Sequence, residues 1–108
     1  MTVAASHRRN AEVYTACAAL VRDVDEVARS LEGAGDSRLA QWVRRSALTL
    51  ALLVAEGDRR RAAVEVERVL RDLDVCARRV LPIAPALRGL DRAEKLQLLL
   101  VGPGVATR

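Results

Sequence analysis

A chain of 108 residues has room for one domain and one core, and with 51% hydrophobic residues but no Phe, one Trp and one Tyr that core is aliphatic, which suits helices. The formal net charge of +4 is unevenly placed: residues 1–37 carry four Lys/Arg against six Asp/Glu, while residues 38–108 carry fourteen against eight, so an acidic partner would meet the second part. A membrane span is excluded on length, because the apolar run Ala47–Ala55 is about half of the ~20 residues a bilayer requires and is bounded by Arg44-Arg45 and Glu56.

The amino terminus, MTVAASHRRN, has a basic pair but no apolar core behind it, so no signal peptide is expected and the predicted location is the cytoplasm. A first helix is predicted over residues 6–32. Val13, Cys17, Leu20, Val21, Val24, Val27, Ala28 and Leu31 fall on one stripe of it, and Gly33-Ala34-Gly35 supplies the left-handed conformations that end a helix. Asp36 or Ser37 then caps a second helix over 38–56, with Gly57 just past its end.

That second helix is apolar nearly all round. Leu39, Trp42, Val43, Leu50, Leu53 and Val54 make a core stripe, and Leu48, Ala51, Leu52 and Ala55 make another on roughly the opposite side. A small bundle has little left to cover a second stripe, so Leu48, Ala51, Leu52 and Ala55 are expected to form a subunit interface of a homo-oligomer. The alternative is that the fourth helix or the termini close that face.

Asp58 is placed to cap a third helix over 59–81, which Pro82 and Pro85 break. Its core stripe is Val66, Val69, Leu70, Leu73, Ala77 and Val80. On the far side Arg60, Arg61, Arg68, Arg71, Arg78 and Arg79 share about 100° of arc, flanked by Glu65 and Asp72 on one edge and Glu67 and Asp74 on the other. One reading is a solvated face stitched by pairs such as Glu67 with Arg71 and Asp74 with Arg78, each contributing about 0.2–0.5 kcal/mol. The other is anion recognition, because a guanidinium forks onto phosphate or carboxylate. Arg59, Arg60 and Arg61 stand in a first turn where the helix dipole disfavours cations, so they and any free backbone N–H groups there form a candidate anion site. A fourth, short helix over 91–101 opens on Asp91-Arg-Ala-Glu94, which has capping-box spacing, and runs out before Gly102-Pro103-Gly104. No segment alternates like a strand, and the predicted fold is an all-α, antiparallel four-helix bundle spanning residues 1–108 as a single domain.

Chemistry is sparse. His7 has no Cys, Ser or carboxylate partner that assembles into a catalytic set, and Glu56 reads as a helix-end anchor. Cys17 and Cys76 lie on or beside apolar faces as small hydrophobes, the alternative being a disulfide between the first and third helices, and two ligands do not make a zinc site. No catalytic residue, cofactor or metal is expected. Trp42 reads as core and Tyr14 as rim, which leaves almost no aromatic surface for base stacking. Nucleic-acid binding by Arg59, Arg60, Arg61, Arg68, Arg71, Arg78 and Arg79 would then be phosphate-directed, weakly sequence-specific and salt-dependent.

The order of helices, with Val54-Ala55-Glu56-Gly57 closing the second, resembles the small four-helix-bundle proteins encoded in intervening sequences of 23S ribosomal RNA genes, whose signature is N-I-A-E-G. Ala77 to Leu90, ARRVLPIAPALRGL, is similar to the LRxLLRLAxDLGxL pattern of a related branch, the accessory variability determinant proteins of diversity-generating retroelements. Leu53 replaces the signature Asn, Pro82 replaces an Arg, and Gly102 falls where that branch has a glycine near its end. The resemblance implies a ring-like homopentamer and, in the retroelement branch, a basic assembly that binds RNA or DNA and partners a reverse transcriptase. Two classes of function follow: an oligomeric, non-enzymatic nucleic-acid-binding accessory, or a helical interaction module whose arginine face pairs with an acidic protein surface.

Overall fold

The computed structural model describes residues 3–101, with side chains from Arg8 onward, and every regular element among them is a helix. In chain order these are α1 (Val3–Gly33), α2 (Ser37–Glu56), α3 (Arg59–Ala77) and α4 (Ala84–Val101). α1 packs on α2 and α4, and α3 packs on the same two, so the four form a square with α1 and α3 nearly out of contact across the diagonal. Short connections reverse the chain each time. Arg44 of α2 accordingly reaches Asp25 and Glu32 of α1, Ser46 of α2 meets Asp72 of α3, and Arg88 of α4 returns to Glu26 of α1. No helix among the described residues is long and apolar enough to cross a membrane.

The punctuation works through specific caps. Gly57 takes a left-handed φ of 76° and the Asp58 N–H bonds Leu53 O at 3.0 Å, which closes α2. The Asp58 carboxylate accepts from Arg61 N at 3.1 Å and opens α3, as the Asp36 carboxylate does for α2 at Leu39 N. Gly35, at φ 86°, makes the turn between α1 and α2.

Inside the square, Leu20, Leu31, Leu50, Leu73 and Leu96 are fully buried with Val24, Val27, Val43, Val66 and Val69. Each such side chain contributes about 1.5–3 kcal/mol by leaving water. The expected α1 stripe is buried throughout, apart from Val21 at its edge, and Val66, Val69 and Leu73 form the α3 core as expected. α4 reaches α3 closely because it presents small residues. A Cβ added at Gly89 would lie 3.1 Å from a Leu73 methyl.

Three expectations need correction. The fourth helix begins at Ala84 rather than Asp91, because Pro85 sits in its first turn, where the missing N–H costs nothing and the fixed φ suits a helix. Asp91 is therefore mid-helix, paired with Lys95 at 3.1 Å, and caps nothing. α3 ends at Ala77, not 81, which leaves Arg78 and Arg79 in the connection. Trp42, read as core, is 64% exposed: the α2 stripe is carried by Ala40, Val43, Ala47, Leu50, Leu53 and Val54, with Ser46 buried beside α3. The stop of the fourth helix at Gly102-Pro103-Gly104 and the side chain of His7 lie outside the described residues.

Candidate functional site

Several cations at the α1–α2 and α1–α4 contacts are tied to carboxylates. On the α1–α4 side, Arg92 Nε lies 2.7 Å from the buried Asp23 carboxylate, Arg88 reaches Glu26 at 2.8 Å, and Lys95 pairs with Asp91. The Arg92 contact is off the N–H axis, so it is ionic rather than a directed hydrogen bond. Along α1 and α2, Arg44 bridges Asp25 and Glu32 while Arg29 holds Asp25 at 2.6 Å. Arg29, and then Arg44, hold the Asp25 carboxyl below its usual range, and Arg44 does the same for Glu32. Both acids are therefore charged partners throughout the neutral range.

The α2–α3 side carries more unpaired arginines, although Arg8, Arg9 and Arg22 of α1 also have no carboxylate within 4.0 Å among the described residues. Among the described residues, Arg38, Arg45, Arg60 and Arg71 have no carboxylate within 4.0 Å. Of the two stitches predicted on the third helix, Asp74 with Arg78 forms at 3.1 Å, and Glu67 with Arg71 does not. The remaining arginines are more loosely engaged. Arg68 lies 3.7 Å from Glu65, Arg61 lies 4.0 Å from Asp58, and Arg79 lies 3.6 Å from Asp36.

Arg68 and Arg71 line an open groove of about 480 Å³ between α2 and α3. Its other wall is Trp42, Arg45 and Thr49, and its floor holds Ser46, Glu65 and Asp72. The floor is fixed: Ser46 Oγ donates to Asp72 Oδ2 at 2.6 Å, and the Glu65 side chain is only 10% exposed. Arg45 and Trp42 were not among the predicted site residues. The spacing Arg38, Trp42, Arg45, Thr49 runs along one edge of α2, and a polar edge that includes the only Trp was the available signal.

The start of α3 is less open than its three arginines suggest. Arg59 N–H bonds Gly57 O at 3.1 Å, Arg61 N–H is taken by the Asp58 carboxylate and Ala62 N–H by Asp58 O, so an anion there would meet occupied amides and an acid. Arg59 itself turns to α1, donating to Asn10 Oδ1 at 2.7 Å, and lies apart from the groove. Arg60 and Arg61 are exposed at the α3 start, and Arg78 and Arg79 at its far end.

No protein-family model, curated protein or solved structure matches this chain. The resemblance to the intervening-sequence and retroelement accessory proteins thus rests on short sequence motifs alone.

On the outer side of α2, Leu48 is 58% and Leu52 64% exposed, Ala55 is exposed, and Ala51 leans on the core. α4 packs on α1 and α3 and does not cover this ridge. Cys17 and Cys76 are both buried and free, and burial raises both thiols, Cys76 to about 11, with Asp72 adding to it. Such thiols stay protonated and pack as small hydrophobes. Glu56 is exposed at the end of α2, and Tyr14, expected at the rim, is 51% exposed.

Proposed function

We propose that this protein is a non-enzymatic, cytoplasmic accessory that binds the phosphate backbone of RNA or DNA through its α2–α3 face, and that it does so as a homo-oligomer joined along the outer ridge of α2. The observation that carries the proposal is the set of unpaired arginines along α2 and α3. Arg29, Arg44, Arg88 and Arg92 are answered by carboxylates of the same chain. Arg38, Arg45, Arg60 and Arg71 have none within 4.0 Å among the described residues and, unlike the likewise unpaired Arg8, Arg9 and Arg22 of α1, lie along α2 and α3. Guanidinium groups left without internal anions, on a chain of net charge +4, form a ready polyanion surface. Symmetry would multiply a modest patch, since copies on one ligand raise the effective concentration. A pentameric count and a reverse transcriptase partner belong to this proposal on the strength of the sequence resemblance alone.

The pairs Asp74–Arg78, Glu65–Arg68 and Asp36–Arg79 favour a second reading, in which the face docks on an acidic protein surface. A salt series with a mixed-sequence RNA separates the two. Log affinity should fall linearly with log salt, by about 0.7–0.9 for each phosphate neutralised. Absence of binding at about 50 mM salt, where such interactions are strong, would remove the nucleic-acid proposal in favour of the protein partner.

A further inference from the structure

Resting on that proposal, we infer that the α2–α3 groove takes a single-stranded nucleic acid, with one base turned in against the Trp42 indole and the flanking phosphates held on the rim by Arg45 and Arg71. Trp42 is 64% exposed although it is the largest apolar side chain in the protein, and it stands on the wall of the groove that the unpaired arginines line. At about 480 Å³ the groove falls within the ~300–1,000 Å³ of small-ligand clefts, room enough for a nucleotide base.

The floor sets the orientation. Asp72, held by Ser46, and the nearly buried Glu65 place two carboxylates at the bottom of the groove. A phosphate entering there would be repelled, so the backbone stays at the rim. A base edge is different: its exocyclic amino group donates to a carboxylate, and its π-face stacks on an indole. Aromatic wall, acid floor and arginine rim thus match a nucleotide with base inward and phosphate outward. In a duplex the bases are stacked and paired, so only the rim arginines can engage it.

The chain contains one Trp and one Tyr, so emission excited at the red edge of the absorption band, where only the indole absorbs, reads Trp42 alone. A short mixed-sequence single-stranded RNA should quench that emission on binding, and the same sequence as a duplex should bind without quenching. Trp42→Ala, at an exposed position, should keep the helical circular dichroism and weaken single-strand affinity by about tenfold, the effect of losing one stacked base. Its duplex affinity should be unchanged. Single-strand binding without quenching, or equal affinities of wild type and Trp42→Ala, would overturn the stacked-base inference and leave the backbone proposal standing. Equal weakening of single strand and duplex would also overturn it, and binding of neither form at about 50 mM salt would remove both.

Discussion

Replacing Arg92 with Ala is expected to cost about 1–3 kcal/mol of stability, the penalty of leaving a nearly buried polar group without its partner. Asp23 is the reason. Its side chain is 10% exposed, its Oδ2 has no hydrogen-bond donor among the described residues, and Arg92 Nε lies 2.7 Å from it. Without Arg92 a desolvated carboxylate would face α4 with only Arg88, at 3.8 Å, to answer it. The loss should appear as a lower urea midpoint with an unchanged slope, and Asp23→Ala in the same chain should recover part of it by removing the stranded charge. Arg29→Gln breaks a pair that is exposed on both sides and should cost no more than about 1 kcal/mol. Equal effects of the two substitutions would show that Asp23 is better solvated than its burial implies.

Leu52→Glu should reduce the proposed homo-oligomer to single chains while leaving the fold intact. Leu52 is 64% exposed within one chain, so a carboxylate there meets water in the monomer but would be buried without a partner in an oligomer, at a cost of several kcal/mol. Leu52 is a cleaner probe than Ala51, which packs partly against the core. Light scattering should report a mass of several chains for the wild type and of one for the variant, with the same circular dichroism. A wild type that is already monomeric at micromolar concentration would remove the interface along Leu48, Leu52 and Ala55.

The sequence showed most plainly where one residue type had one physical use. Gly57 followed by Asp58 marks a left-handed stop and a cap, and both act as such. The α1 stripe is equally plain, because long aliphatic side chains recur on it among charges. α2 was harder, since alanines at 40 and 47 carry much of its buried face and alanine reads as neither core nor surface, which let Trp42 be assigned inward. Pro85 misled through its two roles, breaking a helix in the interior and starting one in the first turn. The groove required tertiary structure. Arg45 and Arg71 are far apart in sequence, and only the Ser46–Asp72 register of α2 on α3 brings them to one opening. Which arginines are answered by acids is likewise invisible on a helical wheel, because Arg44, Arg88 and Arg92 find their carboxylates on another helix.

The most direct test of the backbone-binding proposal compares two variants that each lower the net charge by two. Arg45→Gln with Arg71→Gln removes unpaired arginines from the groove, whereas Arg29→Gln with Lys95→Gln removes exposed cations paired to Asp25 and Asp91. Affinity for one mixed-sequence RNA, measured at several salt concentrations, should fall for the first variant, with the salt slope flattening by about one unit for each phosphate no longer neutralised. The second variant should keep both the affinity and the slope of the wild type. Equal losses in the two variants would mean that net charge alone draws the nucleic acid, and the α2–α3 face would then have no special part in binding it.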